Sequence, residues 1–214
     1  EENTHIEKIS KFNNNYKLYK ISEARLYTNT IDDLAIISNN KIVEGPSYQL
    51  RPDPNDDLSP RNNSHVSNNI VFKIGTPKIL KKKTGSVLSL LSGGGANKNY
   101  FHWLFDVLPR LHIVLNYIEL KKINYFYMPK LKKFQIKTLT CLGFKNLKVL
   151  DSQKYKHIKA KEIIVPEHPW YHKGTIFAES SNIPKWIVYW LRDSFAHLKK
   201  EKKKDKKIFI DRSE

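Results

Sequence analysis

His102, Asp106 and Arg110 stand at steps of four in the segment Asn99-Tyr100-Phe101-His102-Trp103-Leu104-Phe105-Asp106-Val107-Leu108-Pro109-Arg110-Leu111. Residues spaced this way share one face of a helix. A carboxylate four residues from an imidazole fixes its tautomer and raises its basicity. His102 is therefore a candidate general base for a hydroxyl, with Asp106 as its partner. The same spacing also suits plain architecture, with Asp106 and Arg110 as an ordinary helix ion pair and His102 capping or packing.

Three other features carry functional side chains. Glu167-His168-Pro169-Trp170-Tyr171-His172 is an aromatic and His-rich loop after an expected strand. Aromatic faces stack on flat ligands, so His168 and Trp170 are candidate substrate contacts, and a packed surface loop fits them equally. Ser92-Gly93-Gly94-Gly95-Ala96 lacks both the Gly-Lys-Ser/Thr ending of a phosphate loop and the spacing of a dinucleotide fingerprint, and reads as a flexible turn. Cys141, the single cysteine, excludes an intramolecular disulfide, suits a reducing compartment, and reads as a small buried hydrophobe near a helix end. No acidic metal-ligand cluster is visible, and no cofactor is called for.

The elements that must position these residues follow from periodicity. Residues 1 to about 23 are polar with no strong period. Arg25 to Thr28 reads as a strand, and Leu34–Ile37 with Lys41–Val43 as a hairpin turning at Asn39-Asn40, because Asn tolerates positive φ. Residues 51–69 are a long polar loop, Ile70 to Ile74 a short strand, and Lys81 to Gly85 a loop. Val87–Leu91 suits a buried strand. Asn99 is a good N-cap for a helix running to Ile118, which Pro109 should kink or divide. Tyr125–Met128, Leu147–Leu150 and Ile158–Val165 read as strands, Lys130–Leu142 as a helix closed by Gly143, and Pro184–Leu198 as an amphipathic helix whose Trp186, Trp190 and Phe195 face the core. This alternation predicts an α/β fold with a β-rich N-terminal segment and a largely parallel sheet covered on both sides. Residues 24–198 form the expected domain, 199–207 a Lys-rich linker, and 208–214 the first strand of a further domain.

Charge narrows the classes. The formal net charge is +17, yet only six residues are Arg (Arg25, Arg51, Arg61, Arg110, Arg192, Arg212). Readers of bases and phosphates rely on Arg forks and stacked aromatics, and no such stripe is present, so no nucleic-acid partner is called. A solvated Lys-rich surface is the favoured reading, with attraction to an anionic membrane face left open. No stretch approaches the roughly 18 apolar residues of a membrane span. The N-terminus lacks signal-peptide character and an initiator Met, so the true start is expected to lie upstream.

The segment from Asn99 to Leu111 resembles the signature of glycosyltransferase family 61, Asn-Tyr-x-His-Trp-x-x-Asp-x-Leu-Pro-Arg-Leu, nearly without interruption. Ile208-Phe209-Ile210-Asp211-Arg212-Ser213 resembles the family's later strand ending in an Ile-Ser-Arg type motif, with Asp211 where Ser is common. The resemblance spans about residues 25 to 214. It implies a Rossmann-like acceptor-side domain of a GT-B-like enzyme, cut off before its donor domain. It further implies inverting transfer of a sugar from a nucleotide-sugar donor to a polysaccharide or glycolipid acceptor in surface polysaccharide biosynthesis. Such an enzyme would work in the cytoplasm or at the periphery of the inner membrane. On this sequence His102 and Asp106 become the catalytic candidates. Asn99, Arg110, His168 and Trp170 become substrate-binding candidates, Arg212 a candidate for the donor diphosphate, and no metal is required. Two other classes stay open: a non-catalytic basic domain that binds glycans or polyanions, and a nucleic-acid-binding protein.

Overall fold

Backbone pairing at one strand organises the molecule. In a computed structural model of the chain, the residues described are 3–9, 16–29, 33–49, 69–91, 99–170 and 183–198. Along the chain run β1 (Thr4–Ile9), β2 (Tyr16–Ser22), β3 (Arg25–Tyr27), β4 (Asp33–Ser38), β5 (Lys41–Ile42), β6 (Tyr48–Gln49), α1 (Val71–Ile74) and β7 (Lys81–Ser89). Then come α2 (Tyr100–His102), a π-helical turn (Trp103–Val107), α3 (Leu108–Leu115), β8 (Tyr125–Met128), α4 (Lys133–Cys141), β9 (Val149–Asp151), β10 (His157–Pro166) and α5 (Lys185–Ser194).

The ten-residue β10 is the hub. One edge pairs parallel with β7 from Ile158↔Lys81 to Ile164↔Leu88. The other edge is shared: β3 pairs antiparallel with His157–Lys159, and β2 with Glu162–Pro166. Beyond β7 lie β8 and β9, both parallel, which gives the order β10-β7-β8-β9. Beyond β3 lie β4 and β5, antiparallel. The fold is thus mixed α/β, with a four-stranded parallel half and an antiparallel wing. Val87, Leu88, Ser89, Leu90 and Leu91 are all fully buried, as expected of a central strand covered on both faces.

Local expectations meet the structure unevenly. The hairpin turns at Asn39 and Asn40, whose φ values of 48° and 59° are the left-handed ones anticipated for Asn. The helix with Pro109 is divided, and α4 ends before Gly143 at φ 85°. Ile70 to Ile74 is helical rather than extended: Asn69 accepts from Val71 N through its side chain and starts a turn that the apolar run alone did not signal. Lys81 to Gly85 is strand rather than loop, because its backbone pairs with β10 while its Lys side chains stay in solvent. The polar N-terminal segment contains two strands, and β2 buries Tyr16, Leu18 and Ile21 in the main core. Cys141 is half-buried. The linker 199–207, the strand 208–210, Arg212 and the loop 51–68 lie outside the described residues. Among the described residues no helix is long and apolar enough to cross a membrane.

Two positions expose the packing logic. Two β7 residues, Thr84 and Gly85, oppose one residue of β10, a bulge between the pairs Lys83↔Ala160 and Ser86↔Glu162. Gly85 has φ 92°, and an added Cβ would overlap the Asn124 side chain, whose Oδ1 accepts from Ser86 N. On the helical layer, α5 lays Trp190 flat on His112 of α3 at a centroid distance of 4.4 Å, while Trp186 Nε1 donates to Tyr16 Oη. Burial there pushes the His112 imidazole down from 6.5 to about 4.

Gly85→Ala should lower unfolding free energy by more than about 1 kcal/mol, because Ala is strained at positive φ, read as a reduced denaturant midpoint. His112 is neutral when folded, whereas the unfolded chain takes up a proton at higher pH. Its contribution should therefore be lost as pH falls from about 6.5 to about 4. Thermal midpoints across that window should fall less steeply in His112→Phe than in the parent protein.

Candidate functional site

The segment 99–111 starts with a cap that works as its sequence suggests. Asn99 is extended (φ −90°, ψ 136°), and its Oδ1 accepts from Phe101 N at 2.8 Å. The helix then widens into a π turn closed by Leu108 N donating to Trp103 O, five residues back. Pro109 has no amide hydrogen to offer Phe105 O, its acceptor in a regular helix. Trp170, from the loop after β10, supplies the missing donor: its Nε1 donates to Phe105 O at 3.0 Å. The proline thus creates the acceptor that seats the second half of the site.

That seating brings His168 to Asp106. The Asp106 carboxylate is fully buried between two imidazoles. Oδ2 meets His102 Nδ1 at 2.6 Å, and Oδ1 faces His168 Nε2 at 3.5 Å. The first is a short charge-assisted contact; the second is long for a hydrogen bond and acts chiefly through its field. Burial pushes the Asp106 carboxyl up, but His168 and His102 together outweigh it and hold the carboxyl below its ordinary value. An ionised acceptor at Oδ2 places the His102 hydrogen on Nδ1 and leaves the Nε2 lone pair free. The His102 side chain is 30% exposed and its Nε2 has no partner among the described residues, so that lone pair can receive a proton from outside. His168 is oriented by its own loop, since Trp170 N donates to its Nδ1 at 3.4 Å.

Arg110 sits elsewhere in the chemistry. It is fully buried, donating from Nε to Asp106 O and from Nη2 to Leu90 O, each at 2.9 Å. It locks the Asp106 turn to the end of β7. Trp103, also fully buried, donates to Thr138 Oγ1 at 2.7 Å and so joins this turn to α4. The structure therefore brings together five candidates, His102, Asp106, Arg110, His168 and Trp170, with Asn99 one turn away. Arg212 lies outside the described residues. The His168–Asp106 contact was missed by sequence analysis, which named His168 only for its aromatic loop. No local signal could have linked residues 62 positions apart.

The surroundings are aromatic. Phe101 lies 5.0 Å from Phe105 and edge-on to Trp170 at 6.1 Å, and it remains 39% exposed beside His102. Among the described residues no group of three or more His, Cys, Asp or Glu is arranged to hold a metal; the two imidazoles aim at the carboxylate instead of at a shared point. The site lies just past the C-terminal ends of β7 and β10. These parallel neighbours are where the chain order reverses, since β7 leads on to β8 on one side while β10 lies on the other. Crevices at such reversals bind ligands in open α/β sheets.

Asp106→Asn should cost about 1–3 kcal/mol at neutral pH, because two oriented imidazoles lose their charged acceptor. The ionised carboxylate stabilises the fold above 3.8, and that stability is lost as pH falls through its lower folded value. Denaturant midpoints of the two proteins should therefore converge in acid. No protein-family model, curated protein or solved structure matches the chain.

Proposed function

We propose that this chain is the acceptor-side part of an inverting glycosyltransferase that moves a sugar from a nucleotide-sugar donor to a polysaccharide or glycolipid hydroxyl. The observation that carries the reading is the His102–Asp106 dyad, 2.6 Å across, with a His102 side chain that is 30% exposed and whose Nε2 has no partner among the described residues. Support also comes from the signature-like segment 99–111, whose Asn, His, Asp, Pro and Arg each have a definable task.

In this mechanism the acceptor hydroxyl lies against His102 Nε2, and its proton passes to that nitrogen as the oxygen attacks the anomeric carbon. The bond from that carbon to the donor diphosphate breaks, and the nucleoside diphosphate leaves with the electron pair. Attack from the face opposite the leaving group inverts the centre. Asp106 stays ionised and stabilises the imidazolium. Phe101 offers a face for the acceptor ring. Arg212 is assigned to the leaving diphosphate by the resemblance alone, its planar fork suiting two phosphate oxygens. The strand order β9-β8-β7-β10 supports a Rossmann-like half of a GT-B-like pair, with the donor bound by a domain facing this one.

A second reading, a non-catalytic binder of glycans or polyanions, draws on a groove of about 390 Å³ in the N-terminal halves of β7 and β10, lined by Lys82, Lys83, Lys159 and Lys161 together with Glu23, which pairs with Lys159. Transfer by the full-length gene product separates the two. His102→Ala should lower kcat by about 100-fold or more, with the donor KM little changed, and Asp106→Asn by about 10- to 100-fold. A full-length protein that binds acidic polysaccharide and transfers no sugar, or a fully active His102→Ala variant, defeats the transferase reading of this dyad.

A further inference from the structure

The helix α4 and the turn that follows it form a surface of one charge sign. From Pro129 to Leu150 the chain carries six lysines, Lys130, Lys132, Lys133, Lys137, Lys145 and Lys148, and no Asp or Glu. All six are exposed and none is ion-paired among the described residues. The helix is divided cleanly. Gln135 and Leu139 are buried, whereas Lys133, Ile136, Lys137 and Thr140, at steps of three and four, all face out. Ile136 is 51% exposed in the middle of this face. It borders an apolar groove of about 440 Å³ formed with Leu131, Phe144, Leu147 and Val149 beside β9, the last strand on that side among the described residues.

A surface that pairs unneutralised lysines with an exposed Ile136 and a half-buried apolar groove matches a bilayer interface, where ammonium groups meet anionic headgroups and apolar side chains enter the acyl boundary. Nucleic acid calls for a different set: this stretch has no Arg and no exposed aromatic to stack on bases. A purely solvated Lys face would leave no reason for an apolar groove at its centre. We infer that α4 and the 143–149 turn dock the protein on an anionic phospholipid bilayer, with lysines on the headgroups and Ile136 at the acyl boundary.

The docking face adjoins the candidate site. Tyr100, which opens the His102 helix and is 58% exposed, stacks on Phe134 of α4 at 4.1 Å, and Trp103 bonds Thr138. A bilayer seated on α4 thus lies one helix from His102. Under the transferase reading, on which this step alone rests, that proximity makes the acceptor a lipid-linked saccharide.

The test is co-sedimentation of the full chain with mixed phosphatidylglycerol–phosphatidylcholine vesicles, against phosphatidylcholine alone, at about 0.1 M salt. Binding should require phosphatidylglycerol. K133E/K137E/K145E should weaken it by at least about 50-fold. Ile136→Ser, which keeps every charge, should weaken it about 3- to 10-fold. The control K81E/K82E/K161E removes three exposed lysines from the N-terminal halves of β7 and β10 and should weaken binding several-fold less than the α4 triple. Unchanged thermal midpoints verify that each variant is folded, as expected for exposed positions. The inference is overturned by any of three results: equal losses in the two triple variants, an Ile136→Ser variant that binds as the parent does, or a DNA oligomer that outcompetes the vesicles. None of these readouts depends on sugar transfer, so docking and the transferase reading fail separately.

Discussion

A single buried carboxylate sets the terms for the rest of this molecule. Asp106 has no exposed surface worth counting, and an uncompensated charge in that position would be intolerable. Its compensation comes from two directions: His102 one turn back on its own helix, and His168 from the far end of the chain's hub strand. The helical turn and the loop after β10 must therefore be correctly placed together, or neither is stable. The candidate dyad and a folding constraint are here the same contact. What distinguishes the two imidazoles is exposure. The His168 side chain is 7% exposed and that of His102 30%, so His102 is the more accessible of the two to a ligand.

Pro109, ten residues after Asn99, is what makes this placement specific. Removing one amide hydrogen leaves a carbonyl, and the π turn opens the helix around it. Trp170 Nε1 fills that vacancy from outside, carrying His168 with it two residues earlier. On the other side, Arg110 binds the next carbonyl and the end of β7. Three consecutive features, a missing donor, a widened turn and a buried guanidinium, thus fix Asp106 relative to both parallel strands. Irregular helical turns of this kind recur at functional sites because they aim side chains that a regular helix would not.

The sequence was most informative where a local rule decides local structure. The Asn99 cap, the Asn39-Asn40 turn, the division at Pro109 and the i,i+4 contact of His102 with Asp106 all depend on neighbours within five residues. It was least informative where pairing at a distance decides. Lys81–Lys83 look like solvent-loving loop residues, and only the β10 backbone makes them strand. Tyr16-Lys17-Leu18-Tyr19-Lys20-Ile21 breaks alternation at Leu18-Tyr19 and is flanked by polar residues, so it carries no strand signal of its own, and pairing with β1 and β10 makes it one. Ile70–Ile74 shows the opposite failure: five residues are too few for apolar content to distinguish strand from a turn of helix. The His168–Asp106 contact could not be read at all, since it exists only because β10 inserts beside β7 and delivers its following loop to the start of the helix.

Electrostatics on this protein operate at two separated scales. A net charge of +17 is large for 214 residues, yet the described lysines are mostly exposed, and beyond about 8–10 Å their fields are screened by physiological salt. They shape what the surface attracts without setting the state of the buried site. Inside, the balance is local: one carboxylate, two imidazoles and a guanidinium whose bonds run to carbonyl oxygens. The same carboxylate would be drawn lower by any nearby surface cation, but it is the two imidazoles at 2.6 and 3.5 Å that govern it. This separation lets a strongly basic exterior coexist with a site tuned by near neighbours alone. The exterior lysines can therefore change without altering the state of Asp106, which its near neighbours fix.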